Sequence, residues 1–278
     1  MPTLAEKQAQ YIQQLSTIYD STEARTITQW VIEDVMQLSA LKLSFNRFLI
    51  LTSHQEDIFQ SYLQRLMNYE PVQYVLGYTE FYGLRIGVSP AVLIPRPETE
   101  ELVTWVLDEI KQYTQPHLLD IGTGSGCIPI AIKHHCIQAR VDALDISSDA
   151  LSIAQKNALT NQVAINFFQH DILTAELNDC YDLIVSNPPY IGYDEKQQMK
   201  ENVLNHEPHL ALFATDPLMF YKRIAELASA ALKPAGVILV ELSEYRVRET
   251  LAIFDSMGYQ TTIKKDSRGK ERMLKATR

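Results

Sequence analysis

The stretch His117-Leu118-Leu119-Asp120-Ile121-Gly122-Thr123-Gly124-Ser125-Gly126 runs an apolar segment straight into a turn with glycine at every second position. The first half reads as a buried strand. Glycine then allows the positive φ values and the close approach to a ligand that so tight a turn requires. Beyond it, strand-like and helix-like segments alternate. Strands are predicted near 117–121, 140–145, 164–168, 181–186, 235–241, 259–264 and 271–276, with helices over 126–136, 148–159, 217–232 and 245–256. This alternation predicts an α/β fold with a doubly wound, mostly parallel seven-stranded sheet. The short link 265–270 makes the last two strands an antiparallel hairpin.

Upstream the pattern is different. Residues 1–72 contain no glycine, and their prolines are Pro2 and Pro71. Leu4, Tyr11, Leu15 and Ile18 form one apolar stripe. Asp20 and Glu23 mark a helix start before Ile27, Val31, Val35 and Leu38. Ser53 and Glu56 form a capping box before Ile58, Leu63 and Leu66. The region is predicted to be a small helical bundle with Trp30 and its neighbours in its core. Residues 73–95, rich in Tyr, Val, Phe, Leu and Ile with Gly77, Gly83 and Gly87 as turn points, predict a β-hairpin connector. Pro95-Arg96-Pro97-Glu98 then opens a helix running to about residue 113, with Pro97 suited to the first turn. The expected organisation is 1–72, 73–95 and a main domain over 96–278.

A chain of 278 residues with 46% hydrophobic and 21% charged residues can bury a self-sufficient core. The net charge of −9 argues against a surface that grips bare nucleic acid, which needs clustered Lys and Arg. Three cysteines without a C-x-x-C pair point to reduced thiols. The N-terminus lacks the basic-then-apolar pattern of a signal peptide, and no apolar run approaches the roughly 18 residues of a membrane span. A cytoplasmic protein without membrane contact is expected, and nothing demands more than a monomer. His134-His135-Cys136 places adjacent residues in different directions on a helix, so no metal site is expected.

The NAD fingerprint would put its third glycine at position 127, where Cys127 stands. The pattern D-x-G-x-G-x-G instead suits a mononucleoside such as S-adenosylmethionine lying against Gly122, Thr123, Gly124, Ser125 and Gly126. Asp145, ending the next strand, can accept hydrogen bonds from both hydroxyls of a ribose. Its alternative role is a helix cap, which Ser147 and Ser148 already supply. Asp171 can accept from an adenine amino group while Ile172 packs on the ring, though an aspartate in a loop is common. A tight turn without a ligand also remains open.

Asn187-Pro188-Pro189-Tyr190 follows the strand-like run Tyr181–Ser186. Two prolines lack N–H donors and fix φ, so the chain must leave the sheet here, at the carboxyl edge where ligands bind in such folds. An amide, a rigid bend with free carbonyls and an aromatic ring suit a small planar group that carries an N–H.

Together these residues resemble the class I S-adenosylmethionine-dependent methyltransferases, and the tetrapeptide is similar to that of enzymes that methylate planar nitrogens. Gln73-Tyr74-Val75-Leu76-Gly77, Glu80-Phe81-Tyr82-Gly83-Leu84 and Leu93-Ile94-Pro95-Arg96-Pro97-Glu98-Thr99-Glu100 resemble the connector of the peptide-chain release factor glutamine N5-methyltransferases. Glu207-Pro208 and Asp266-x-x-Gly269-x-x-Arg272 match that family too. One segment departs from it: Phe213-Ala214-Thr215-Asp216-Pro217 stands where the family has a glycine-rich stretch.

The resemblance implies a Rossmann-like fold, S-adenosylmethionine as cofactor and S-adenosylhomocysteine as product. It implies methyl transfer to the glutamine of the Gly-Gly-Gln motif of class I release factors, with the N-terminal bundle helping to hold that partner. It also implies that the Asn187 side-chain carbonyl and the Pro188 backbone carbonyl each accept one N–H of the substrate amide. Tyr190 would pack its ring on that amide, Pro189 would stiffen the turn, and Asn187 would also adjoin the cofactor. Arg96 either forms part of the rim over the cofactor or pairs with Glu98 or Glu100. The alternative activity is a nucleic-acid amino-methyltransferase acting on adenine N6 or guanine N2, against which the net charge weighs. A third is a non-catalytic module that binds S-adenosylmethionine.

Overall fold

The computed structural model describes residues 2–177, 179–199 and 201–278. The chain divides into two compact units, Met1–Gly77 with Lys200–His206, and Tyr78–Met199 with Glu207–Arg278.

The first unit is helical: α1 (Leu4–Leu15), α2 (Ser21–Met36), α3 (Ala40–Phe45), α4 (Ser53–Met67) and α5 (Val72–Leu76). Asp20 caps α2 by accepting the Thr22 and Glu23 N–H groups, both at 2.9 Å. The capping box of α4 lies one residue earlier than predicted. Thr52 and Gln55 form it, because Thr52 is the last residue with extended backbone and its hydroxyl reaches the Gln55 N–H. Leu4, Tyr11, Leu15, Ile27, Val31, Phe59, Leu63 and Leu66 form the core. The Tyr11 hydroxyl donates to the Phe59 carbonyl within it. Trp30 does not join them: it is 42% exposed, because the buried stripe of α2 runs through Ala24, Ile27, Thr28, Val31 and Ile32. Residues 73–76, predicted to belong to the hairpin connector, also differ from that expectation. They lie in one helical turn, α5, closed by Gly77 in the left-handed region.

The second unit opens with the hairpin β1 (Tyr78–Phe81) and β2 (Leu84–Gly87), whose turn residues Tyr82 and Gly83 both have positive φ, as a tight two-residue hairpin turn requires. Next come α6 (Pro97–Glu109), β3 (His117–Ile121), α7 (Cys127–His135), β4 (Arg140–Asp145), α8 (Ser148–Thr160), β5 (Asn166–Gln169), β6 (Tyr181–Ser186) and β7 (Ile191–Gly192). The helix α9 (Glu201–His206) belongs to the first unit. The chain then continues through α10 (His209–Leu212), β8 (Phe213–Ala214), α11 (Met219–Ala231), β9 (Leu232–Glu241), α12 (Val247–Ser256), β10 (Gln260–Lys265) and β11 (Glu271–Thr277).

The main sheet has seven strands in the order β10-β11-β9-β6-β3-β4-β5. β9, β6, β3, β4 and β5 are parallel, and β11 is antiparallel to both of its neighbours. Every residue of β3 and β6 is buried, which explains why neither strand shows the regular apolar–polar alternation of a half-exposed strand. The glycine-free segment at 213–217 needs no left-handed residue. Phe213 and Ala214 are extended and pair with Ile191 and Gly192 as a two-stranded parallel ladder. Among the described residues no helix is long and apolar enough to cross a membrane.

Register decides what meets at the carboxyl edge. Ile121 lies opposite Leu144 and Ser186, and Ser186 lies opposite Val240. The next residue of each strand, Gly122, Asp145, Asn187 and Glu241, therefore stands at the same edge. The Ser186 hydroxyl donates to the Ile121 carbonyl at 2.7 Å and locks β6 to β3 at that level.

Candidate active site

The glycine turn is tied to the neighbouring strand: the Gly122 and Thr123 N–H groups both donate to the Leu144 carbonyl at 2.9 Å. Gly126 starts α7 at φ +80°, and a Cβ there would come within 3.0 Å of the Ala154 Cβ on α8. Gly126→Ala is therefore expected to lose about 1–3 kcal/mol through strained backbone and overpacking together. Urea unfolding checks this, and an unchanged midpoint would exclude it. Gly122 and Gly124 face open space instead, on the side where a ligand would lie.

That space is a cavity of about 370 Å³. Of the residues selected from the sequence, Gly122, Gly124, Asp145, Asp171, Ile172, Asn187, Pro188 and Pro189 line it. Thr123, Ser125, Gly126 and Tyr190 do not. Thr123 and Ser125 are buried beneath the turn, and their hydroxyls have no hydrogen-bond partner among the described residues. Leu93 from the connector and Pro208, Leu210 and Phe220 from the second half of the unit complete the apolar wall.

The carboxylate of Asp145 is preset. Oδ2 accepts the Gly124 N–H at 2.8 Å and Oδ1 accepts the Ser147 N–H at 2.9 Å. Burial raises its pKa, and those two N–H groups oppose the shift. Ser147 caps α8 through the Ala150 N–H, so Asp145 is not needed as the cap. Asp120 is 1% exposed, and neither of its oxygens has a hydrogen-bond partner among the described residues. Burial pushes it up to about 7, with the nearby Thr123 hydroxyl opposing the shift. Asp171 Oδ1 accepts the Leu173 N–H at 2.9 Å, and the Arg223 guanidinium holds the Ile172 carbonyl at 3.1 Å.

The tetrapeptide is held from behind. Asn187 Nδ2 donates to Thr99 Oγ1 at 3.2 Å, Thr99 donates to Glu241 at 2.7 Å, and the Tyr190 hydroxyl donates to the same carboxylate at 3.1 Å. Thr99 and Glu241 were invisible as partners in the sequence, because Glu241 belongs to no motif and the two lie 142 residues apart along the chain.

The connector meets this site by two routes. Asn157 on α8 accepts the Gly87 N–H at 2.8 Å and donates to the Gly87 carbonyl at 2.9 Å and the Ser125 carbonyl at 2.8 Å, joining hairpin and glycine turn. Glu207, 4% exposed, pairs with Arg96 at 2.7 Å and accepts the Ile94 N–H at 3.3 Å. The partner of Arg96 is thus neither Glu98 nor Glu100. Glu98 faces Arg268 at 3.2 Å, and Glu100 accepts the Tyr82 N–H at 2.8 Å. Asp266 closes the final hairpin by accepting the Arg268 and Lys270 N–H groups, and Arg272 lies 3.6 Å from it, so the D-x-x-G-x-x-R spacing has a structural role. Away from the cavity, His117, Asp142 and Asp179 cluster within 4.8 Å, with Arg140 already 3.0 Å from Asp179.

A largely apolar cavity with the carboxylates of Asp145 and Asp171 in its lining, glycines that leave room for a close ligand, and an amide beside a carbonyl-rich bend fits a nucleoside with a reactive tail. Comparisons agree with that reading. Residues 101–212 match the methyltransferase small domain and residues 6–77 match the PrmC N-terminal domain. The release factor glutamine methyltransferase of Flavobacterium psychrophilum is 42% identical over 273 residues, 96% of this chain and 96% of that protein. That of Bacteroides thetaiotaomicron is 40% identical over 274 residues, 96% of this chain and 98% of that protein. Among solved structures, the hMettl16 catalytic domain in complex with MAT2A 3'UTR hairpin 6 aligns with a TM-score of 0.59 at 20% identity, over 75% of this chain and 82% of that one. A methyltransferase from Pyrococcus furiosus aligns with a TM-score of 0.53 at 17% identity, over 81% of this chain and 98% of that one. These structural likenesses carry the class I methyltransferase fold. Matched along nearly its whole length by such relatives, the chain belongs to the release factor glutamine methyltransferase family.

Proposed function

We propose that the protein transfers a methyl group from S-adenosylmethionine to the side-chain amide nitrogen, N5, of the glutamine in the Gly-Gly-Gln motif of class I release factors, in support of translation termination. The observation that carries this is the juxtaposition of Asn187 and Pro188 with Gly122, Gly124 and Asp145 in the lining of one cavity. When bound, the cofactor supplies a methyl group already activated on a sulfonium. Asp145 would hold its ribose, Asp171 and Ile172 its adenine, and the glycine turn would allow close approach.

The chain's own task is positioning. An amide nitrogen is a poor nucleophile because its lone pair is delocalised, the same resonance behind the peptide barrier of about 18–20 kcal/mol. Asn187 Oδ1 and the Pro188 carbonyl would each accept one amide N–H, turning both hydrogens aside and leaving the nitrogen lone pair free to face the methyl group. Pro189 would keep the bend from relaxing, and Tyr190, which packs against the core with its hydroxyl on Glu241, would brace the bend from outside the cavity. Positioning of this kind supplies on the order of 7–11 kcal/mol. Acceptors preset for positive charge developing on nitrogen add to it, and the methylated nitrogen, made acidic by that charge, then gives up one proton. The N-terminal helical unit would hold the partner protein.

Incubation with methyl-labelled cofactor and purified release factor, or with RNA or DNA, tests the reading. Label is expected on the glutamine of the release factor, located by mass spectrometry of its peptides. Label on nucleic acid alone would overturn the substrate. Cofactor binding without transfer to either would point to a binding module.

A further inference from the structure

An asparagine side chain is nearly symmetric in shape, and rotating its amide by 180° exchanges an acceptor oxygen for a donor NH2. If Asn187 is to accept a substrate N–H, something must set which end faces the cavity. The bond from Asn187 Nδ2 to Thr99 Oγ1, at 3.2 Å, orients the amide. Thr99 has a single hydroxyl proton. Its Oγ1 lies 2.7 Å from Glu241 Oε2, and an ionised carboxylate only accepts. That proton is therefore committed to Glu241, and Thr99 can only accept from Asn187. A flipped amide would set the Asn187 oxygen against the Thr99 lone pairs.

We infer that Glu241, acting through Thr99, is a positioning residue that fixes the polarity of the Asn187 amide and so presents Oδ1 to the substrate. This rests on the proposed role of Asn187. The same carboxylate takes the Tyr190 hydroxyl on Oε1 at 3.1 Å, so both polar side chains of the tetrapeptide are referenced to one anion. Glu241 is 1% exposed and Thr99 2%. Burial raises the Glu241 pKa, while the Thr99 and Tyr190 hydrogen bonds and the Arg272 charge oppose the shift and favour the ionised form. The Tyr221 hydroxyl fixes the strand end by donating to the Glu241 carbonyl at 3.0 Å.

The experiment compares Thr99→Val, Thr99→Ser, Glu241→Gln, Asn187→Ala and the Thr99→Val/Asn187→Ala pair in the full chain. It measures kcat and KM for release-factor methylation, cofactor Kd by calorimetry and the unfolding midpoint. Thr99→Val is expected to lower kcat at least about tenfold with KM and cofactor Kd within about threefold, the signature of an interaction made only in the transition state. Thr99→Ser, which restores the hydroxyl, is expected to recover kcat to within about threefold of the parent. Glu241→Gln should lower kcat at nearly unchanged volume, because its amide can donate to Thr99 and reverse the chain of bonds. The double variant should be no more than about threefold slower than Asn187→Ala, since Thr99 acts through Asn187. Parent-like kcat in both Thr99→Val and Glu241→Gln, a loss confined to KM, failure of Thr99→Ser to recover, or multiplying losses in the double variant would overturn the inference. Should Thr99→Val unfold, Glu241→Gln and Thr99→Ser decide it. Parent-like turnover in Asn187→Ala would instead overturn the proposed amide grip itself.

Discussion

Asn187→Ala is expected to lower kcat on the order of 10²–10³-fold, the scale seen when one preset polar group at a reacting centre is removed. The cofactor Kd should stay within several-fold, because Asp145 and the glycine turn, which line the same cavity, would still hold the nucleoside. The substitution also leaves Thr99 Oγ1 without its donor, a loss of about 1 kcal/mol in stability that the unfolding midpoint will register separately. Single-turnover methylation at saturating cofactor isolates the step. The Pro188 carbonyl alone could still accept one N–H, but with a single acceptor the planar amide could swing as a whole about that bond, and its nitrogen lone pair would no longer be held facing the methyl donor. Turnover equal to the parent would remove the amide grip from the mechanism.

The second large effect is expected at the cofactor. Asp145→Ala should weaken S-adenosylmethionine binding by about 10–100-fold, since charge-assisted hydrogen bonds contribute roughly 1.5–3 kcal/mol each and 1.4 kcal/mol is tenfold in Kd. Part of that loss would come through the protein. The Gly124 and Ser147 N–H groups lose their acceptor, and the turn loses a tie to the next helix. Asp145→Asn keeps an acceptor oxygen for one of them, so a smaller loss with the amide separates turn geometry from ribose contact. Calorimetry reads both, and an unchanged Kd in Asp145→Ala would count against the ribose role.

Much of the fold was legible because its signals are local. Alternating apolar strands and amphipathic helices are set by periodicities within a few residues, and glycine and proline mark where regular structure stops. Strands predicted at 117–121, 140–145 and 181–186 fall at His117–Ile121, Arg140–Asp145 and Tyr181–Ser186. Failures came where two nearby residues offer the same chemistry. Thr52 and Ser53 can each cap a helix, and only the backbone conformation selects Thr52. Trp30 is apolar enough for a core, yet the angular phase of α2 leaves it outside. Arg96 had acidic neighbours in sequence, but Glu207 reaches it across the fold.

The sequence by itself determined the class of fold, the glycine turn, the forced exit from the sheet at Asn187-Pro188-Pro189-Tyr190 and a carboxylate at Asp145. Each of these is dictated by which backbone angles and hydrogen bonds a short stretch can adopt. Only the tertiary structure decided that Gly122, Asp145, Asn187 and Glu241 share one edge, because strand register is a long-range property of the whole sheet. Only it placed Thr99 between Asn187 and Glu241. A buried carboxylate must find partners wherever packing brings them, and packing, not chain spacing, brought these three together.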